Sequence, residues 1–581
     1  MIRRARQFAT RRLQMLRSSA SNPLHRKLFP EKLRRFSTSI HARAFASIFG
    51  VGVTFVGAYA AYQVEKDPEN EQQVIVSITE DSRAITRPPE ARHPYEKESL
   101  VWKTLFKIHR ILYFCVLFAP CVFGGILCKL TEDPSLREAW IRLLVKTIEM
   151  GGSSCMKFGQ WISMRPDVIA GDIIQALASL RQDAPSHSFA HTRQQIEKSL
   201  GKTVDEIFDE ISELPVASGT IAQVHRAKLR QKYALRGHDG RYIRDVAVKV
   251  QHPHVIKETF IDIDILFQGL NLIFAVPFSK EEFVSAMQRQ INFEWEAYNL
   301  WKFKKNFRRE ITEGEIIFPA VSRELLAPQV LIEGWVNGHT ISELFDGRNP
   351  NTTNAKGPDF TEKKSDTDVM KERSKFSKLK QYKDKMGAWA KTLFRANAKM
   401  FLKDNFVHGD MHAGNVMVSE EYPDSIVVID AGCTCEMQAE VLPKFESFVS
   451  AMCEGDTDSV AETLIDLNEM KESTTNAKLS KFRREISTTV KKFVGSPGRD
   501  PEGNPVRIGA LLTAVLKELQ KHDMVLRSDF AMSLVTLGLT EGIIKQLDPT
   551  FDCVKSVMGF MLGEHAKDMQ YSKLPNVLGQ W

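Results

Sequence analysis

His408-Gly409-Asp410-Met411-His412-Ala413-Gly414-Asn415 is the stretch on which the reading of this chain turns. Downstream lies the apolar run Ser425-Ile426-Val427-Val428-Ile429, read as a buried strand that delivers Asp430-Ala431-Gly432. An H-x-D, an asparagine shortly after the aspartate, and a strand ending in D-x-G together suit phosphoryl transfer. That chemistry needs a carboxylate near the reacting oxygen, and Asp410 is the candidate catalytic group. It also needs oxygen ligands for the cation that accompanies a polyphosphate, and Asn415 and Asp430 are the candidate metal ligands. A hard ion such as Mg²⁺ takes a carboxylate or two and an amide oxygen in preference to softer donors. The competing reading is that these are turn residues with satisfied side chains. Five fixed positions match by chance in a chain of this length with odds of about 10⁻⁴, and the spaced D-x-G weighs further against that reading.

The bulk properties set the frame. A chain of 581 residues, 43% apolar, holds two to four domains or one large elaborated domain. The net charge of +7 is modest and much of it sits near the N-terminus, so no nucleic-acid footprint is read. Eight cysteines without a C-x-x-C pair argue against a disulfide framework or a zinc site. Cys433 and Cys435 follow the D-x-G and are read as packing residues before redox sensors.

Residues 1–43 are rich in Arg and Ser, with Glu31 the only acid. They are read as a mitochondrial presequence over 1–36, with cleavage after Phe36; a basic tail is the alternative. The uncharged stretch 44–62 spans roughly 28 Å as a helix, close to the bilayer core, and is expected to be a transmembrane helix. A polar linker is expected over 63–110. The apolar run 111–128 contains Pro120, Gly124 and Gly125. It is either a second, kinked membrane helix or a buried or interfacial one. One crossing or two decides which side of the membrane the remaining chain occupies.

Residues 136–205 carry a helical pattern with Lys157 and Gln160 on one face, where both can enter one polar site. Ala217-Ser218-Gly219-Thr220 lies at a turn between strands, and small side chains there let backbone approach phosphate closely. Asp245–Val250 alternates as a strand and presents Lys249. Such a lysine pairs with phosphate oxygens and with a helix glutamate. The helical stretch 281–307 supplies that partner in Glu296. Gln329–Gly338, with Glu333 and Trp335, reads as a strand entering a turn whose backbone can meet an adenine ring. Residues 346–385 turn polar and charged and are expected to be a flexible insertion. Beyond Gly432 the pattern is helical, with a break at Gly495–Pro505.

With these pieces in place the chain resembles the UbiB family of atypical kinase-like proteins, also called aarF-domain-containing kinases, and in particular its mitochondrial second-type members. The resemblance runs from about residue 136 to 550. Its most specific element is the K-x-G-Q motif, matched by Lys157, Gly159 and Gln160 and absent from ordinary protein kinases. The alanine-rich loop of the family is matched loosely by Ala217-Ser218-Gly219-Thr220. Lys249 and Glu296 match the kinase lysine and helix glutamate. Asp410 and Asn415 match the catalytic-loop residues, and Asp430 the metal aspartate. There are departures. Ser218 and Gly219 stand where the family has alanine. The E-x-D motif reads Gln290-Ile291-Asn292. The D-x-G carries Ala431 where Phe is usual.

The resemblance implies an α+β, two-lobed protein-kinase-like fold with an N-terminal helical extension carrying K-x-G-Q, preceded by one or two membrane helices. The expected boundaries are 136–205 for the extension, 206–336 for the N-lobe and 337–581 for the C-lobe. It further implies ATP and Mg²⁺ as cofactors, with Lys157, Gln160 and Asp410 acting in catalysis. Lys249, Glu296, the 217–220 loop, Glu333 and Trp335 would bind the nucleotide. The place would be the mitochondrial inner membrane, and the partners membrane lipid or isoprenoid quinone precursors, with a lipid-biosynthetic protein complex or a homo-oligomer as candidate assemblies. The expected activity is an ATPase supporting coenzyme Q or lipid metabolism; the alternatives are a catalytically weak pseudokinase scaffold and a small-molecule phosphotransferase.

Overall fold

The computed structural model describes Ile85, Arg87, Pro88 and residues 100–568. Within the latter range, 346–381 and gaps at 132, 166, 170, 178–179, 181–185, 254, 274–279, 470–474 and 496–497 are excepted. The chain divides into two compact units, one of 1–76 with 561–581 and the other of Ser77–Phe560. The sheets and the helices packed on them belong to the second unit. The presequence at 1–36, the membrane helix at 44–62, most of the linker and nearly all of the insertion lie outside the described residues.

A five-stranded antiparallel sheet forms first. Its strands run in the order Phe208–Ile211, Ala222–Leu229, Asp245–Gln251 and Val330–Gly334, with Ala217–Ser218 paired to the second. Period-2 alternation explains the central strand. Val246, Val248 and Val250 are fully buried against Ile196, Ile207, Leu229 and Ile332. The residues between them point to the opposite face, where Lys249 stands. That face is covered by the helix Phe293–Asn306, whose Phe293 and Ala297 pack against Leu331 of the sheet. This helix begins where it does because Asn292 Oδ1 accepts the Glu294 amide at 2.9 Å, an N-cap.

A four-stranded sheet follows, in the order Ile316–Ile317, Ile426–Val428, Val416–Ser419 and Gly338–Thr340. Ile316–Ile317 falls within the expected first lobe (206–336) but pairs in parallel with Ile426–Val428, so that boundary does not hold for this strand. Gly338 is required by closeness: a Cβ there would lie 2.1 Å from the Val418 carbonyl oxygen. The C-terminal part is helical, with Met386–Leu402 packed along Ser528–Leu547, and the break expected near 495–505 falls between Asn476–Phe493 and Ile508–Lys521.

The N-terminal side needs a correction. Residues 100–110, expected in the linker, and the run 111–128 form one helix, Leu100–Thr131, with Pro120 inside it. One stripe packs against the body: Phe114 and Cys121 are buried, Trp140 Nε1 donates to the Cys121 carbonyl at 2.8 Å, and Arg110 pairs with Asp262 at 2.6 Å. The opposite stripe is exposed and apolar, with Leu112, Val116, Phe123 and Leu130 facing out. Among the described residues this is the one helix long and apolar enough to cross a membrane.

The helices Pro134–Met150, Ser153–Ser163 and Gly171–Leu177 then lead to a buried staple. Arg165 grips Asp167 through two hydrogen bonds, at 2.9 and 2.8 Å, and both side chains are fully buried. The same guanidinium donates to Ser528 Oγ at 2.9 Å and to the Leu526 carbonyl at 3.0 Å. The segment carrying Lys157 is thereby tied to the C-terminal helices.

Candidate active site

The expected catalytic loop opens with the short strand Val407–His408, paired to Thr434–Cys435. His408 is fully buried; its Nε2 lies 3.3 Å from the Ile429 carbonyl and its Nδ1 accepts the Asp410 amide at 3.3 Å. A carbonyl can only accept, so Nε2 carries the proton and the ring is neutral. Burial holds its pKa below the ordinary histidine value. This one side chain joins the Asp410 turn to the strand that ends in Asp430. Asn415 Nδ2 donates to the Asp410 carbonyl at 3.0 Å, which fixes the amide and leaves Oδ1 free to ligate. Asp430 adopts a left-handed backbone, φ 56°, a conformation Asp tolerates better than most residues, and its Oδ1 accepts the Gly432 amide at 3.2 Å.

Lys249 meets Glu296 at 2.6 Å and Glu333 at 3.1 Å. The second contact follows from sheet register. Lys249 sits opposite Leu331 and Ala247 opposite Glu333, so Lys249 and Glu333 are diagonal neighbours on one face. Burial opposes the charge on Lys249, yet Glu296, Glu333 and Asp430 raise its pKa well above the ordinary lysine value. Burial also pushes the Glu296 carboxyl up to about 8, with Asp430 and Glu333 adding to the rise against Lys249. The three carboxylates around one ammonium contribute to both directions. Asp430 is held below its usual value even though burial acts to raise it, because Lys249 and Lys157 attract its charge.

Lys157 and Gln160 project from the helix Ser153–Ser163. Gly159 between them permits the packing of that helix, since a Cβ would lie 2.7 Å from Leu180 Cδ1. Gln160 Nε2 donates to the Leu180 carbonyl at 2.8 Å. The Lys157 ammonium makes no hydrogen bond or ion pair with any described residue.

A cavity of about 320 Å³ is lined by Lys157, Gln160, Ala217, Gly219, Thr220, Lys249, Glu296, Asp410, Asn415 and Asp430. The structure therefore brings most of the expected site residues to one space. It does not bring Ser218, Glu333 or Trp335 to that lining. The Ser218 hydroxyl is buried without a hydrogen-bond partner among the described residues. Glu333 serves as the second carboxylate of Lys249. The Trp335 amide donates to the Asp245 carbonyl at 2.9 Å. Sequence reading also missed His412, Gln290 and Met532 in the lining. His412 is visible inside the opening motif, whereas no local signal marks Met532, which arrives from far along the chain. Asn292 is occupied as a helix cap, so the position that resembles the end of E-x-D gives its side chain to local structure. Cys433 and Cys435 are free thiols pushed up to about 12 by burial, which suits packing and not redox chemistry.

The donor set suits a divalent cation with a polyphosphate. Hard oxygen donors stand at Asn415 and Asp430. Two lysines face Glu296, Glu333, Asp410 and Asp430, so the cluster is short of positive charge. One oxygen of Glu333 is buried without a hydrogen-bond partner among the described residues.

Comparison with known proteins accords with this geometry. Residues 179–464 match the ABC1 atypical kinase-like domain, which defines the class of protein. Residues 495–552 match the UbiB helical domain, and the chain belongs to the ABC1/UbiB family of atypical kinase-like proteins. It is 26% identical over 531 residues to the "Probable serine/threonine-protein kinase abkC" of Dictyostelium discoideum, covering 78% of this chain and 68% of that one. It is 25% identical over 516 residues to a mitochondrial ABC1 family protein of Saccharomyces cerevisiae, covering 78% and 72%. To the "Probable protein kinase UbiB" of Aeromonas hydrophila it is 27% identical over 430 residues, covering 72% and 68%.

Proposed function

We propose that this is a mitochondrial, membrane-anchored protein that binds ATP with Mg²⁺ between two kinase-like lobes and hydrolyses it in support of coenzyme Q or other lipid metabolism. The observation that carries the proposal is the buried Lys249–Glu296 pair, 2.6 Å apart, facing the same cavity as Asp410, Asn415 and Asp430. Asn415 and Asp430 would hold the cation, which when bound neutralises phosphate charge and orients the terminal phosphoryl group. Lys249, fixed by two carboxylates, supplies a cation to phosphate oxygens, and Lys157 supplies a second from the K-x-G-Q helix. The 217–220 turn borders the cavity with little side-chain bulk, and its Gly219 amide is given to the Ala222 carbonyl at 2.8 Å. Asp410, held by His408 at its own amide and by Asn415 at its carbonyl, is placed to accept a proton from an attacking hydroxyl or water. Relatives named as kinases and as mitochondrial ABC1 proteins support the reaction class and the compartment. The exposed apolar stripe of Leu100–Thr131 supports the membrane.

The test is Mg²⁺-dependent ATP hydrolysis by the full chain, with and without liposomes, beside Asp430→Asn and Lys157→Ala. Turnover lost in Asp430→Asn is expected, and equal turnover in that variant would overturn the ATPase. The diversion of Asn292 to a helix cap favours a second reading, a nucleotide-binding scaffold without turnover. Nucleotide binding with no hydrolysis under any condition would select it.

A further inference from the structure

A second cavity, of about 910 Å³, adjoins the first; Trp161, Ala286, Gln290, Gly432, Cys433 and Met532 line both. Its size falls in the range of small-molecule sites, and its walls are mixed polar and apolar. The wall residues come from the K-x-G-Q helix, the helix Lys280–Ile291, the segment after Asp430 and the start of Ser528–Leu547. The function proposed above does not use it.

Its charges are unequally employed. Glu436 pairs with Lys302 at 2.6 Å, Lys444 with Asp466, and Arg527 with Glu440 at 2.5 Å and Asp529 at 3.4 Å. Arg289 differs. It is half-buried, donates from Nη2 to Ser285 Oγ at 3.0 Å, and leans over the Trp295 ring at 5.7 Å. No described carboxylate lies within ion-pair distance of it. A guanidinium has five N–H donors in a planar fork that matches phosphate. Here most of that fork has no acceptor among the described residues, and Gln290, next in sequence, lies in the wall common to both cavities.

We propose that this second cavity is a binding site for a small molecule bearing a phosphate monoester, gripped by Arg289, with the remainder of the molecule directed past Gln290 and Gly432 toward Asp410. It would be the acceptor or effector of the site proposed above, and on that reading its relevance to catalysis rests; the binding itself is separable. A soluble phosphate ester and a lipid headgroup share this chemistry.

The experiment measures affinity of the full chain for two probes. One is glycerol 3-phosphate against glycerol, by calorimetry. The other is phosphatidylcholine vesicles with and without phosphatidic acid, by flotation. Binding of either phosphate-bearing probe is expected, weakened roughly tenfold or more by Arg289→Ala. Lys249→Met should leave it unchanged. Gln290→Glu, which retains shape and adds a negative charge to the common wall, should also weaken it, and it keeps the test valid if Arg289→Ala fails to fold. The arm that binds identifies the source of the phosphate. No binding to either probe, binding indifferent to both cavity variants, or binding abolished by Lys249→Met overturns the proposal. ATP binding is measured alongside. Its loss with probe binding intact would sink the nucleotide reading alone, and the reverse would sink only this one.

Discussion

Two buried charge clusters in this molecule differ in one respect: whether their polar groups are all engaged. Arg165 and Asp167 face each other through two parallel hydrogen bonds, and two further guanidinium N–H groups reach Ser528 and the Leu526 carbonyl. The Leu526 amide returns a bond to Asp167 at 3.3 Å. Lys249 is also buried and also paired, but its neighbours are Glu296, Glu333 and Asp430, and a Glu333 oxygen has no hydrogen-bond partner among the described residues. A buried charge must be compensated by hydrogen bonds and an opposite charge, or it raises the free energy of the fold. Complete compensation inside the protein marks a structural joint. A deficit of positive charge, held in place by register and helix packing, is what the proposed cation site requires.

Breaking the joint should have the largest effect. Arg165→Ala leaves an unpaired carboxylate in a fully buried position, and the expected loss is about 3–5 kcal/mol of unfolding free energy. Urea unfolding of the purified chain measures it. The double variant Arg165→Met, Asp167→Leu should recover most of the loss, because removing both charges removes the uncompensated one. A small effect of Arg165→Ala would mean that water reaches the staple, and the contrast with Lys249 would weaken.

Lys249→Met should cost less stability than Arg165→Ala, since burial and the neighbouring carboxylates already push the Glu296 carboxyl toward its neutral form, and losing Lys249 pushes it further the same way. Its effect on Mg²⁺-ATP affinity should be large, roughly tenfold or more, because a desolvated ammonium–phosphate contact is lost. Glu333→Gln sharpens the comparison from the other side. It removes one of the surplus carboxylates, so the ligand-free protein should be as stable as wild type or more so, by about 1 kcal/mol at most, in the manner of a stability–function trade. A destabilised Glu333→Gln would show that the cluster is balanced without a ligand.

What can be read in the sequence follows the same division. The opening loop, Lys249, Glu296 and Asp430 are legible because each belongs to a local pattern with a chemical reason for its spacing. The strand alternation at 245–250 and the helical pattern beyond 432 are legible by period. Glu333 reads as an adenine contact because its pairing with Lys249 depends on antiparallel register, which puts the two on one diagonal. Arg165 and Asp167 carry no local signal of their joint role, since their partners Leu526 and Ser528 are distant in sequence. The helix Leu100–Thr131 divides at residue 110 in the sequence because Lys107, His109 and Arg110 look like linker composition. Arg110 is in fact drawn inward by Asp262. Local chemistry is written in the sequence, and compensation across the fold is not.

The smallest expected effect concerns a third cluster, histidines behind the 217–220 turn. His252 Nε2 lies 2.9 Å from the Gly219 carbonyl, so that nitrogen carries the proton and donates. His252 Nδ1 must then accept from His187 Nδ1, 2.7 Å away, and His187 Nε2 accepts from Thr192 Oγ1 at 3.0 Å. His225 completes the set: its Nδ1 donates to the Ser212 carbonyl at 2.8 Å and its Nε2 accepts from Gln223 at 2.9 Å. In this order a second proton on His252 Nδ1 sets donor against donor with His187 Nδ1. Burial lowers all three pKa values, that of His187 to about 3. The unfolded chain binds protons near pH 6.5 while the folded chain does not. Stability is therefore level above that value and falls as pH drops from about 6.5 toward 3. Each histidine contributes less than about 1.4 kcal/mol per pH unit, since partial exposure screens its charge. The melting temperature should decline between pH 7.5 and 5.5, and His187→Asn should flatten the decline. A flat wild-type profile would mean that these histidines accept protons in place, and that the turn they hold is looser than its hydrogen bonds indicate.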